Sequence, residues 1–323
     1  LGMAPGLREV LVERLDEISF LPETGSETLR HLFATRFGFQ PGEVLVGNGT
    51  TEFIFAAPVA LQPKRALIIN PTYADYRLAS EWSHLPVAGY ALQPEEDFRL
   101  DLNRLADHLE GGELVFFCNP NNPTGTLTPS EELHRFAGAH HDSQFLVDES
   151  YLPFTRERSL LELPLLPNLL ILSSFSKIYG IPGLRLGFLT ASTANMARLA
   201  ARRKPWGVNR LAQIAGEFLI RQGEPYRQEV IRYLEAERPL FASSLASLPG
   251  IRVFPGVTNY ILAQLTGQTG VAELRARLLA EHRIMIRHCS NFEGLDENFF
   301  RISLKGEPEN QKCLAGLKRI LEG

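Results

Sequence analysis

One lysine stands out in the stretch SSFSKIYGIPGLRLGF, Ser173 to Phe188. Lys177 follows an apolar run, lies among small hydroxyl residues, and precedes a Gly/Pro-rich turn that sets Arg185 eight residues on. A lysine amine becomes a nucleophile when its surroundings strip its proton, which makes a buried lysine a candidate for covalent catalysis. Other apolar runs end in comparable loops, GNGTTE, NPTYADY, NPNNPTG and DESY, which add an aspartate, hydroxyls, two tyrosines and several asparagines. There is no GxSxG and no Ser-His-Asp set. GNGTTE lacks the third glycine of a dinucleotide fingerprint. No two histidines stand at ligand spacing beside carboxylates, so no metal site is expected.

One chemistry uses this set. A lysine forms a Schiff base with the aldehyde of pyridoxal phosphate, and that cofactor also needs an acid for its ring nitrogen, a planar stacking group and donors for its phosphate. Asp148, ending FLVDES, suits the ring nitrogen, where a carboxylate keeps the pyridinium protonated. Tyr73 can stack on the ring. Ser174, Ser176 and Arg185 can hold the phosphate, with the turn at Gly49 and the backbone N–H groups of Thr50 and Thr51 at a helix start as further donors. Taken singly, a lysine after a strand is usually a solvated loop residue and an aspartate before ESY a turn former. Their occurrence in matching loops is what gives them weight.

The elements that must position these loops read as an alternation. Leu7, Val10, Leu11, Leu15 and Ile18 keep helical spacing, and a second helix over Leu29–Phe37 stops at Gly38. The runs EVLVGNG, ALIINPTY, LVFFCNPNNPTG, FLVDES, LLILSSFSK and LRLGFL then suit buried strands of a mostly parallel sheet with helices on both faces. In such a sheet the functional residues gather in loops beyond the strands' carboxyl ends. A long helix is expected over about Tyr226–Leu248. The tail, RVFPGVTNYILAQL, VAELRARLLAEH, RIMIRH, FFRISL and ENQKCLAGLKRIL, reads as a smaller α+β unit. The division expected is a large α/β domain over 19–227 and a small domain from 1–18 with 228–323. The basic run Arg202, Arg203 and Lys204 reads as a solvated helix end.

Composition narrows the function. With Lys+Arg 33 against Asp+Glu 37, the net charge of −4 argues against nucleic acid or anionic membrane as partner. No apolar run approaches a membrane span, and the opening LGMAPGLREVLVERL is not a signal peptide. Three cysteines make neither a pairing framework nor a metal spacing, which suits a reducing cytoplasm.

NPNNPTG, VDESY and SFSKIYGIPGLRLGF together resemble the fold-type I pyridoxal-phosphate enzymes of the aspartate aminotransferase class, with a match over nearly the whole chain. The resemblance implies a seven-stranded, mostly parallel sheet in the large domain and a homodimer. It makes Lys177 the Schiff-base lysine, Asp148 the pyridinium partner, and Asn122 and Tyr151 contacts of the ring oxygen. Arg301 in FFRISL matches the arginine for the substrate carboxylate. Within the class, KPWGVNRLA, FPGVTNYIL and RIMIRHCSNFEGLDENFFRISL look most like L-threonine-O-3-phosphate decarboxylases of cobalamin biosynthesis, with histidinol-phosphate aminotransferases next. RISLKG lacks the Gly-Thr pair that usually ends the aminotransferase strand. The implied substrate is a small phosphorylated amino acid, bound by Asn122, Arg287 and Arg301. Members of this branch carry a further segment ahead of the position matched by Leu1 that helps cover the substrate. They also carry a tyrosine, reaching the neighbouring subunit's cofactor phosphate, where FLPE places Leu21. A cofactor-binding chain without activity, or a ligand-sensing module, is the reading from another class; there is no spare length for a DNA-binding domain.

Decarboxylation and transamination share this machinery and differ in geometry. The bond that breaks at Cα is the one perpendicular to the cofactor ring. An arginine that holds the carboxylate near the ring plane leaves Cα–H perpendicular. If a substrate phosphate takes part of the arginine charge, the carboxylate can rotate out of plane and leave as CO2. Arg287 and Arg301 fall on neighbouring predicted strands and could share that work.

Overall fold

In the computed structural model, which describes residues 2–267 and 270–322, the apolar runs become one seven-stranded sheet. Its strands are β1 (Val44–Asn48), β2 (Arg65–Asn70), β3 (Val87–Ala91), β4 (Glu113–Cys118), β5 (Gln144–Asp148), β6 (Leu169–Ser174) and β7 (Leu186–Ala191). Their spatial order is β1-β7-β6-β5-β4-β2-β3. The pairings from β3 through β6 are parallel, whereas β7 runs antiparallel to both β6 and β1. Successive side chains point to opposite faces. Leu67 and Ile69 of β2 and Val115 and Phe117 of β4 enter one buried cluster; Ala66, Ile68, Leu114 and Phe116 enter another. With both faces covered, the strands read as continuous apolar runs. The exception is β3, VAGYA, a partly exposed edge strand whose pattern escapes that test.

This order places the carboxyl ends of β1, β2, β4, β5 and β6 along one edge. β7 starts from that same edge, so Arg185, the residue before it, returns to where β6 ended. Helices α1 (Leu7–Glu13), α2 (Glu27–Phe37), α3 (Thr51–Leu61), α4 (Asp75–Trp82), α5 (Leu102–Ala106), α6 (Ser130–Ala139), α7 (Thr193–Ala200) and α8 (Arg210–Gln222) belong to this part of the chain. The second of these stops at Gly38, whose φ of 78° supplies the left-handed cap expected from the sequence. The apolar spacing from Leu7 to Ile18 predicts one continuous helix; instead α1 breaks at Arg14 and a 3-10 turn covers Leu15–Ser19. Leu7 is buried, but Val12, Leu15, Ile18, Phe20 and Leu21 are exposed, the last two at 74% and 78%. Arg203 also departs from expectation. It is not solvated: its guanidinium donates to the Val46 carbonyl and lies 3.9 Å from Glu52.

The remainder holds α9 (Glu224–Ala246), α10 (Val271–His282), α11 (Glu307–Glu322) and an antiparallel sheet of β8 (Ile251–Val253), β9 (Tyr260–Leu265), β10 (Arg287–His288) and β11 (Phe299–Ser303) in the order β10-β11-β9-β8. RIMIRH reads as a whole strand, yet only Arg287 and His288 enter the ladder. Phe254, Phe292, Leu295 and Phe299 bury into the cluster that contains Leu67, Ile69 and Phe98. Ring centroids lie 5.1 Å apart for Phe98–Phe254 and 5.7 Å for Phe254–Phe299. The two sheets thus share one apolar core. No helix among the described residues is long and apolar enough to cross a membrane.

Candidate active site

A cleft with about 570 Å³ of empty space, partly open to solvent, lies at the carboxyl edge of the large sheet. Thr50, Thr51, Tyr73, Asn122, Asp148, Tyr151, Ser174, Ser176, Lys177 and Arg185 all line it. These residues come from loops far apart in the chain, and the common strand direction brings their ends together. The Lys177 side chain is exposed to the cleft. Even so, the surrounding walls remove enough water to lower its pKa below the ordinary lysine value. Arg185 and then Arg301 add repulsion, and Asp148 opposes the shift. The shift is in the direction of the neutral, nucleophilic amine.

Asp148 ends β5 and is buried at 4% exposure. Its Oδ1 accepts from the Ser150 backbone N–H at 2.9 Å and the Ser150 hydroxyl at 2.5 Å; its Oδ2 accepts from the Tyr76 hydroxyl at 3.0 Å. Burial raises its pKa, while the Ser150 and Tyr76 donors and the Lys177 charge act to keep it ionised. A cationic ring nitrogen in the cleft would push in the same direction as those donors. Glu149, next in the chain, points elsewhere: it accepts from the Leu160 N–H at 2.8 Å and from Ser159, and burial lifts its pKa to about 7.

The anion cradle is built around two glycines. Gly49 has φ 76°, and a Cβ there would sit 2.5 Å from Arg185 Nη2; a Cβ on Gly187 would sit 2.6 Å from the Thr50 nitrogen. Only glycine lets the guanidinium and the start of α3 approach each other this closely. Ser176 is buried at 3% exposure, and its hydroxyl has no partner among the described residues. A guanidinium, a helix start, two serines and one unpartnered buried hydroxyl fit a phosphate group.

The arginines divide. Arg301 on β11 donates to Asn122 Oδ1 and lies 4.5 Å over the Tyr260 ring. That ring meets Tyr151 edge-on at 5.0 Å, and the Tyr260 hydroxyl donates to the Asn121 carbonyl at 2.8 Å. Arg301 Nε is buried without a partner among the described residues, an unsatisfied donor that costs about 1–3 kcal/mol. Arg287 pairs directly opposite Arg301 in the ladder, so both side chains leave one face of the sheet. Its guanidinium, however, turns outward to Asn291 Oδ1 at 2.6 Å and Phe292 at 5.6 Å, and lines a separate surface hollow with Arg275 and His288. Leu21 and Gly49 do not line the cleft.

Three lining residues were not picked out from sequence: Tyr76, Cys118 and Ser150. Tyr76 follows Tyr73 by three, but Tyr73 precedes α4, and a buried aromatic at that spacing carries no mark of a hydroxyl partner. Cys118 offered none. Burial raises its thiol pKa to about 12, which disfavours the thiolate.

With this geometry in place, comparison with known proteins is direct. Residues 15–319 match aminotransferase class I and II, and the chain belongs to that family, which is pyridoxal-phosphate dependent. It is 33% identical to threonine-phosphate decarboxylase of Salmonella typhimurium over 100% of this chain and 89% of that protein. It superposes on L-threonine-O-3-phosphate decarboxylase from Porphyromonas gingivalis with a TM-score of 0.89 and 34% identity, covering 98% of this chain and 95% of the other. Histidinol-phosphate aminotransferase from Clostridium acetobutylicum gives a TM-score of 0.90 at 26% identity, covering 99% and 96%.

Proposed function

We propose that this protein decarboxylates L-threonine O-3-phosphate to the phosphate ester of 1-amino-2-propanol, a step of cobalamin biosynthesis. The observation that carries the reading is the register of the small sheet, where Arg287 stands opposite Arg301, the arginine that donates to Asn122 of the Lys177 cleft. Two adjacent cations suit a substrate with two anionic groups. The similarity to two threonine-phosphate decarboxylases supports it. When bound, pyridoxal phosphate supplies the electron sink for the pair left at Cα as CO2 departs. Asp148 holds a negative charge at the ring nitrogen, and Ser174, Ser176, Arg185 and the start of α3 bind the cofactor phosphate. Tyr151 and Asn122 would meet the ring oxygen, and Asn122 also accepts from Arg301. Lys177 Nζ would hold the cofactor between turnovers and is placed to return a proton to Cα. Arg301 orients the carboxylate. Arg287, turned inward from Asn291, takes the substrate phosphate.

The two arginines should differ under substitution. Arg301→Lys replaces a planar fork with a point charge and should lose substrate orientation, seen in kcat as well as KM. Arg287→Ala should lower kcat/KM for L-threonine O-phosphate roughly 10- to 150-fold, the worth of a charge-assisted contact, and that for plain L-threonine far less. The decisive assay supplies L-threonine O-phosphate without keto acid and follows CO2. Sustained release is expected. Its absence, with keto-acid-dependent conversion of histidinol phosphate, would hand the protein to the aminotransferase reading that the Clostridium structure favours.

The exposed apolar residues Val12, Leu15, Ile18, Phe20 and Leu21 point to a second copy as their cover, and a homodimer is part of this proposal. Leu21 has no donor, so it brings no hydrogen bond to a neighbour's cofactor. Sedimentation should find a dimer that Phe20→Asp with Leu21→Asp converts to monomer; a monomeric wild type at micromolar concentration would refute it.

A further inference from the structure

We propose that the hollow at the outer edge of the small sheet, between Arg275 and Arg287, binds a phosphate dianion, and that the bound anion holds Arg287 away from the substrate. The binding stands on the hollow alone; its effect on turnover rests on reading Arg287 as the arginine for the substrate phosphate. The local fold builds the hollow. Helix α10 ends at Arg283 in the left-handed conformation, φ 56°, and the Ile284 N–H closes the turn on the Leu278 carbonyl at 3.1 Å. The chain that follows runs back beside its own helix, and β10 packs against α10. Ile286 is buried, whereas Met285 and Arg287 on either side of it are exposed. Arg275, on the exposed side of α10, lines the hollow with them.

The hollow has about 720 Å³ of empty space, partly open to solvent, and no aspartate or glutamate lines it. Nearby arginines are neutralised: Arg277 meets Glu281 at 2.9 Å and Arg77 meets Glu293 at 2.6 Å. Arg275 has no hydrogen bond or ion pair among the described residues, and Arg287 has only Asn291 Oδ1 at 2.6 Å and the Phe292 ring. Asn291 accepts through Oδ1, which leaves its NH2 as a donor, and the Ser290 hydroxyl lies in the same wall. Two guanidiniums, an amide and a hydroxyl suit a tetrahedral oxyanion, because the arginine fork matches phosphate geometry. Arg287 has two destinations. It stands opposite Arg301 in the ladder, so turned inward it serves the cleft, and turned outward it serves the hollow. One guanidinium cannot do both. Phosphate in the hollow and phosphorylated substrate in the cleft must therefore weaken each other's binding by the same factor. The ligand is defined by charge and shape: inorganic phosphate, or the phosphate of a monoester.

The test is equilibrium dialysis of radiolabelled inorganic phosphate against the full chain saturated with pyridoxal phosphate. Saturable binding is expected, and Arg275→Ala should weaken it roughly tenfold or more, the scale of a charge-assisted contact. Arg275 is exposed and without a partner among the described residues, so the variant should keep the wild-type thermal midpoint. Arg277→Ala should change binding less than about twofold, since that charge is already paired and salt screens the rest. Glycerol 3-phosphate is the second probe. Displacing the label at lower concentration than unlabelled phosphate does assigns the hollow to a monoester, and at higher concentration to the free ion; both support the site. In the decarboxylation assay inorganic phosphate should raise KM for L-threonine O-phosphate. Arg275→Ala should raise the inhibition constant by the same factor as the dissociation constant, with kcat and KM unchanged when phosphate is absent. Equal affinity in Arg275→Ala and wild type, or an equal loss in Arg277→Ala, would overturn the site. Binding with no effect on KM would overturn the competition. If the wild type releases no CO2, the reading of the reaction fails, and the dialysis still decides the hollow.

Discussion

Lys177→Ala is expected to abolish turnover while leaving a folded protein. The side chain is exposed to the cleft and outside the apolar clusters, and surface substitutions of that kind typically change stability by no more than about 0.5 kcal/mol. What disappears is chemistry. In the proposed mechanism the amine would hold the cofactor and carry the proton for Cα, and no other lysine among the described residues lines the cleft. Desolvation, with Arg185 and Arg301, lowers its pKa toward the nucleophilic form. Far-UV circular dichroism should match wild type. Borohydride reduction of the cofactor-loaded wild type, followed by peptide mapping, should mark Lys177. A mark on another lysine would remove it from the role.

Asp148→Asn should lower turnover by about 10²-fold or more, the scale on which a water-poor site depends on one preorganised electrostatic partner, with cofactor still bound. The substitution keeps shape and removes charge. It also replaces one acceptor oxygen by an NH2 group, so with the amide oxygen kept toward Ser150 the NH2 faces the Tyr76 hydroxyl, which must turn from donor to acceptor. The ring nitrogen then faces a neutral partner. Cofactor retention read by visible absorbance, beside near-normal turnover, would take Asp148 out of the mechanism.

How far these residues could be read in advance follows from the physics of each. The loops carrying Asp148, Asn122 and Lys177 were legible because parallel strands buried on both faces are continuous Val/Ile/Leu/Phe runs, and their ends mark one edge. Arg185 was legible because a Gly/Pro turn after Lys177 must reverse the chain. Tyr76 was not, because a buried aromatic at helical spacing looks the same whether its hydroxyl has a partner or not. The break at Arg14 was missed because helical spacing in Val12, Leu15 and Ile18 registers an apolar face without saying whether anything in the same chain covers it. Arg203 was misread because a basic run gives no hint that its middle guanidinium will fold back on Val46. The outward turn of Arg287 toward Asn291 belongs to side-chain torsions, which pattern does not encode.

The aromatic packing of Phe98, Phe254 and Phe299 bears on how this protein can change. Phe299 is two residues before Arg301 on the same strand, and its ring is packed in the core shared by both sheets. The spacing between the arginine strand and the lysine loop is therefore set by a solid interior, as a mounting plate fixes two instruments at one separation. A swinging jaw could take substrates of many lengths; a fixed mount cannot. A descendant that came to prefer a longer or shorter acid would need new side chains along β10 and its loop, where surface residues are inexpensive to exchange, and would keep the plate.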